Sequence, residues 1–438
     1  MSGRFLDRIA LGRPELRAWA LYDWANSAFF TVIVTAVFPI FYAQVVAAGL
    51  EPAMRRESFA LATTWSLLIA AIAAPLLGAL ADVSARKKLF LSGFMLLGAL
   101  ATAGMFLLGP GDVRLAQWLF GIANFGAAGS FVFYDALLVH VARDEERDQL
   151  SSSAYALGYL GGGLALLLCV LLIRHPVGGM DTATATQAGF VLVALWWGVF
   201  SLPLILSVPE PPRQMEADEQ AGMSVFVRSF TRMGETFREL RHWKAAFLMM
   251  LAFLIYNDGI GTIIRMAVTF GEEKAIPAET MLAVILTVQF VGIPFSILFG
   301  RLAGRIGAKR AILLALAVYV GIAIYAAQMN SQREFWIMAL AVGAVQGGAQ
   351  SLSRSLFARL VPAHKAGEFF GLFATLEKFA GVLGPYLFVV FPTSEGAILA
   401  LIAFFVIGAA ILARVDVETG ARLAREAEQG VRSDGSLN

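Results

Sequence analysis

Residues 31–46, TVIVTAVFPIFYAQVV, hold no charged side chain. One such run fits a protein core; many in succession need lipid as their solvent. Twelve segments are apolar enough to cross a bilayer, roughly 18–45, 57–82, 88–109, 114–141, 152–174, 187–207, 243–270, 278–300, 309–328, 334–359, 367–391 and 395–413. Each approaches or exceeds the ~20 residues that a spanning helix requires. The chain is 58% hydrophobic and 15% charged, with mean hydropathy +0.71, whereas a soluble domain is about a quarter charged. A membrane barrel would show short alternating strands instead. The expected fold is an all-α membrane protein, twelve transmembrane helices in two pseudo-symmetric six-helix bundles.

The charges test that count. Threading twelve helices with both termini on one side puts 25 Lys/Arg on that side and six on the other, with Arg265, Arg354 and Lys378 inside helices. An odd number of helices would scramble this asymmetry. By the positive-inside rule both termini are expected in the cytoplasm, in a multi-pass protein of the inner membrane. The N-terminus is Arg-rich without a small-residue cleavage site, so the first helix is expected to stay as an anchor. Cys169 is the single cysteine and excludes an intrachain disulfide.

The expected organisation is an N-terminal bundle over 1–208, a linker with an amphipathic helix over 209–242, a C-terminal bundle over 243–415 and a tail over 416–438. The halves repeat. GALADVSARKK at 78–88 aligns without gaps on GRLAGRIGAKR at 300–310, an offset of 222, and ALGYLGG at 156–162 lies over TLEKFAG at 375–381, an offset of 219. Two halves in the same orientation form a parallel repeat, whose substrate site is expected at mid-membrane on the seam between them.

The 78–88 stretch resembles the loop signature of the major facilitator superfamily. YDWANSAF (22–29), YNDGIGTI (256–263), ALGYLGG and QSLSRSLFARLVP (350–362) together resemble one branch, which contains bacterial transporters and the fungal vacuolar effluxers linked to autophagy. The resemblance implies the major facilitator fold, alternating access and a cavity lined by helices 1, 4, 7 and 10. For the fungal relatives it implies release of amino acids. Asp135, Arg265 and the charged TLEKFAG depart from the branch's usual pattern.

An ionisable group at the bilayer centre costs about 2.5–3.5 kcal/mol on insertion scales, so intramembrane charges are expected around a wet cavity or in pairs. Asp23 and Asn26 head helix 1, three residues apart. On helix 7, Asp258, Thr262, Arg265 and Thr269 form a polar stripe, with Asn257, Gly259 and Gly261 at one point that suggests a broken helix. Asp135 and Arg354 differ by the repeat offset of 219, and a carboxylate facing a guanidinium across the seam is expected either to close the inner gate or to bridge the bundles permanently. Gln350 lies one turn before Arg354. Lys378 is the pseudo-equivalent of Tyr159, with Glu377 beside it on a different face, and Asp258 or Asp23 is its expected partner. The resemblance also puts Asp82, with Arg86, in a gating switch that acts through Arg143. The expected substrate-binding or coupling residues are therefore Asp23, Asn26, Tyr159, Asn257, Asp258, Thr262, Arg265, Gln350, Glu377 and Lys378. The expected gating residues are Asp82, Arg86, Asp135, Arg143 and Arg354.

No metal-ligand spacing, phosphate loop or nucleophile motif is found in the sequence, so no enzyme, cofactor or nucleic-acid partner is expected. The expected function is secondary active transport of a small polar or zwitterionic solute, amino acids included, with protons as a coupling candidate and lipid as the surroundings of a monomer. Two alternatives stand beside it: an exporter of amphipathic compounds or lipids, and a non-transporting membrane sensor with a transporter fold.

Overall fold

The computed structural model describes residues 6–211, 243–379 and 393–435, with Leu387, Val390 and Phe391. The first bundle contains α1 (Pro14–Val46), α2 (Pro52–Ser84), α3 (Lys87–Gly104), α4 (Val113–Val141), α5 (Arg147–Arg174) and α6 (Thr182–Ser207). The second contains α7 (Lys244–Glu273), α8 (Ala278–Ile306), α9 (Ala308–Ala327), α10 (Gln332–Leu360), α11 (Ala366–Phe379) and α12 (Ser394–Ala413), and α13 (Val417–Gly435) forms the tail. Among the described residues, eleven helices are long and apolar enough to cross a membrane. The twelfth begins as α11, and most of its expected remainder lies outside the described residues, as does nearly all of the linker with its expected amphipathic helix. Among the described residues the architecture is all-helical, with six spanning helices before the chain's middle and five after it besides α11. We call the face holding the start of α1, the tail helix α13 and most cations the basic face.

Two local features differ from the sequence expectations. The first is α1, which begins at Pro14, four residues before the expected span, because proline supplies a preset first-turn φ. It is also irregular: α-helical to Ala28, π-helical over Phe29–Ala36, α-helical over Val37–Phe41, then π-helical over Tyr42–Val46. Within the first π stretch, Thr35 Oγ1 donates to the Phe30 carbonyl at 2.9 Å. Pro39 brings no N–H to the ladder. Such wide turns are rare and concentrate where helices work. The second is α7, which is unbroken at Asn257–Gly261. In a bilayer an opened turn leaves backbone groups without water, so the ladder outweighs glycine's poor propensity.

Glycines instead set the helix spacing. A Cβ on Gly259 would lie 2.8 Å from Phe405 of α12. On α5, a Cβ on Gly161 would lie 2.5 Å from the Trp24 carbonyl and one on Gly162 2.5 Å from Thr31 Oγ1, so the GYLGGG run seats α5 directly on α1. The two bundles meet where α5 packs on α8 and α10, and where α2 and α4 pack on α11.

Candidate functional site at the seam between the bundles

Helix α10 carries the seam through residues four apart: Gly347, Ser351, Ser355 and Arg359, with Arg354 beside them. This spacing aligns side chains on one helix face. Facing them on α5 are Asp148, Ser151, Ser152, Tyr155 and Tyr159.

The centre is Arg354, six residues before the end of α10 and so about 9 Å from it along the axis. Its Nη2 lies 3.0 Å from Asp23 Oδ2 on α1, and its Nη1 3.2 Å from Asp135 Oδ1 on α4. Its Nε donates to Ser151 Oγ at 2.9 Å and Nη2 also to the Ser151 carbonyl at 3.2 Å. The guanidinium carbon lies 4.9 Å from the Trp19 ring centroid, 5.3 Å from Tyr134 and 4.7 Å from Tyr155. Trp19 is fixed by its Nε1–H to the Tyr134 carbonyl at 3.0 Å. The Arg354 and Asp23 side chains are 4% and 8% exposed, and Asp135 16%. Three aromatic faces keep water off one cation, and ion pairs strengthen in such a place. All these partners belong to the other bundle.

Polar links continue to the basic rim. Ser151 Oγ donates to the Ser351 carbonyl at 2.8 Å, and Ser355 Oγ donates to Asp148 Oδ1 at 2.7 Å. Arg359 Nη2 pairs with Asp148 Oδ2 at 2.7 Å and donates to the Asp144 carbonyl at 3.0 Å. Arg147 Nη1 returns the link to the Ala358 carbonyl at 3.2 Å. On the other flank Gly78 of α2 meets Gly367 of α11 backbone to backbone, and Asp82 Oδ2 accepts from the Glu368 N–H at 2.9 Å. Above Arg354, the Tyr159 ring fills a notch of Gly292 and Gly347, where a Cβ would lie 2.8 and 2.7 Å from the ring. Gln289 to Thr31, at 3.1 Å, and Thr375 to the Ala71 carbonyl, at 2.6 Å, mark the mid-membrane limit. Among the described residues no hydrogen bond or ion pair between the bundles lies nearer the opposite face. The seam is closed on the basic side.

The remaining candidates fall in several places. Asn26 is fully buried inside its own bundle, near Tyr22, so it does not share the seam with Asp23. Asp258 and Thr262 are buried, and the Thr262 hydroxyl donates back to the Asp258 carbonyl at 2.7 Å. Arg265 is exposed and folds against Gly261, where a Cβ would lie 2.9 Å from Nη2. The Thr269 side chain lies outside the described residues. Gln350 reaches Asn257 at 3.5 Å, joining α10 to α7. Lys378 Nζ lies 3.9 Å from Glu377 Oε2, which corrects the expected pairing with Asp23 or Asp258; long side chains span the angle between adjacent residues. Asp82 pairs with Lys87, and not with Arg143. Arg86 and Arg143 are exposed, and it is the Arg143 N–H that meets Glu146, at 3.0 Å.

Asp148, Ser151, Ser152, Ser355, Arg359 and the aromatic box escaped the sequence reading. The available signal was the serine runs SSS at 151–153 and SLSRS at 351–355, unusual in spanning helices. Replacing Ser151 by Ala should lower unfolding stability by about 1.5–3 kcal/mol, the range for a hydrogen bond to a charged group, as read by chemical denaturation in detergent.

The comparisons with known proteins agree with this architecture. Residues 12–425 match the family described as "Vacuole effluxer Atg22 like". The chain is 35% identical to the "Uncharacterized MFS-type transporter YxiO" of Bacillus subtilis (strain 168), over 93% of this chain and 96% of that one. It is 25% identical to the "Autophagy-related protein 22" of Coccidioides immitis (strain RS), over 89% of this chain and 77% of that one. Among solved structures it resembles the proton:xylose symporter XylE, with TM-score 0.72 and 15% identity over 92% and 95% of the two chains. It also resembles an outward-facing bacterial homologue of ferroportin, with TM-score 0.67 and 15% identity over 92% and 99%. These structural likenesses speak for the fold alone. The protein is a multi-pass member of the Atg22-like vacuole effluxer family, within the major facilitator transporters.

Proposed function

We propose that the protein moves a small polar or zwitterionic solute, an amino acid in the first instance, by rocking its two bundles about the Arg354 seam. The observation that carries this reading is one buried guanidinium of the second bundle held by two carboxylates of the first. That contact must break when the basic face opens. The basic face is cytoplasmic in this reading, and the protein lies in a bacterial-type inner membrane.

α7 and α10 bring Asn257 and Gln350 together at 3.5 Å, with the buried Asp258 next to Asn257 and the exposed Arg265 two turns further along α7. An acid for an amine and a guanidinium for a carboxylate suit a zwitterion. One guanidinium between Asp23 and Asp135 leaves a negative charge uncompensated, and a proton on one carboxylate neutralises it. We therefore include protons as the coupling candidate in the proposal.

Flux of radiolabelled amino acids into proteoliposomes, with and without an imposed pH gradient, tests the reading. Asp258→Asn and Arg265→Ala should each reduce flux about tenfold or more, the effect of losing one charge-assisted contact. Unchanged flux in both would remove these residues from the site, and no flux for any amino acid would remove the solute class.

A further inference from the structure

The tail helix α13 runs along the basic mouth. Its start is fixed by Asp416, which accepts from the Thr419 N–H at 3.0 Å; that bond holds the carboxyl below its usual range. Its seat is on the second bundle. Gly420 leaves room for Ala245 and Leu360, which a Cβ would meet at 2.6 and 2.7 Å, and Ala424 is buried. Glu428 Oε1 accepts from the Ala363 N–H at 2.8 Å, in the link between α10 and α11. A cavity of about 230 Å³ remains under the start of the helix, among Trp243, Leu248, Leu360 and Leu423, so the seat is not close-packed.

The same helix reaches the first bundle. Arg425 Nη1 lies 3.8 Å from Asp144 Oδ2, and Glu428 is within electrostatic reach of Arg147. Asp144 and Arg147 are themselves paired at 2.7 Å. The tail thus presents a cation to the anion and an anion to the cation of the α4–α5 corner. That corner also holds Arg359 and the Ala358 carbonyl.

We propose that α13 is an electrostatic clasp: seated on one bundle and charge-matched to the other, it favours the state closed at the basic face and must let go of the α4–α5 corner before that face opens. The clasp rests on the rocking motion proposed above but not on the identity of the solute. Its Arg425–Asp144 arm is solvent-exposed, while Arg147 is mostly buried and Glu428 half-buried, so the exposed arm makes the clasp weak, reversible and sensitive to salt.

The test uses the full-length protein in lipid nanodiscs, with Cys169→Ala and a single reporter, Ser152→Cys, buried in the seam. The reaction rate of this thiol with maleimide reads opening of the basic face without any transport measurement. Arg425→Glu with Glu428→Lys should raise the rate about two- to fivefold, the range for exposed pairs. Asp144→Arg added to Arg425→Glu alone should bring the rate back down by restoring the matched signs of that exposed pair and leaving Arg147 on the Ala358 carbonyl. With the native tail, 0.5 M salt should raise the rate by a similar factor, and this arm needs no tail substitution. A rate unmoved by both charge reversal and salt would overturn the clasp. Loss of amino-acid flux with the expected labelling would sink the solute and leave the clasp standing.

Discussion

Arg354→Ala is expected to abolish transport and to destabilise the protein by about 3–5 kcal/mol, because it leaves two buried carboxylates without their cation. Asp23→Asn or Asp135→Asn should each cost less, since Arg354 keeps one carboxylate and Ser151. Stability alone does not separate a gate from a permanent bridge. The triple variant Asp23→Asn, Asp135→Asn, Arg354→Met does. Neutral side chains of similar size often replace a buried ion network at little cost, so the triple variant should regain most of the lost stability. A gate predicts that it folds and does not transport; a bridge predicts that it folds and transports normally. Denaturation midpoints and flux in the same preparations decide between them.

Gly78→Val should lock the basic face open. A Cβ at residue 78 would lie 2.0 Å from the Gly367 carbonyl oxygen, which belongs to helix backbone and has no rotamer to yield. One turn away, Gly371 meets the Ala74 carbonyl with similar closeness, a Cβ there lying 2.5 Å from it. Overpacking costs about 1–3 kcal/mol, a shift of roughly 5- to 150-fold in a two-state equilibrium. The added side chain clashes only when the bundles touch, so each bundle should still fold. Solute exchange should fall by about tenfold or more, while the Ser152→Cys reporter becomes fast to label. Slow labelling together with normal exchange would mean that α2 and α11 stay apart throughout the cycle.

The sequence made some of this legible and hid the rest for definite reasons. Hydropathy and the Lys/Arg asymmetry gave the spanning segments, since lipid penalises exposed charge along the whole of each helix. The repeat offset brought Asp135 and Arg354 to matching depth, and the structure places them 3.2 Å apart. Depth and helix face follow from spacing; partners across a seam do not. Asp23 and Asn26 are three residues apart, which at 100° per residue leaves them about 60° from each other. That angle is enough to send one to the seam and the other into its own bundle. The Asp82–Lys87 pair closes within the α2–α3 corner, so the local basic cluster won over a distant arginine. The intact α7 reflects a bilayer rule outweighing glycine propensity. The π turns of α1 left no mark in the sequence beyond Pro39.

The central claim is that the two bundles exchange closure between the two faces about the Arg354 seam. Pairs of spin labels at the exposed Arg143 and Arg305, at the basic ends of α4 and α8, and at the exposed Gly49 and Glu273, after α1 and at the end of α7 on the opposite face, test it by pulsed distance measurement. The account expects two populations in which a short basic-face distance goes with a long opposite-face distance, with Gly78→Val shifting both together toward the basic-open pair. A single fixed distance at both faces, unmoved by Gly78→Val, would contradict it.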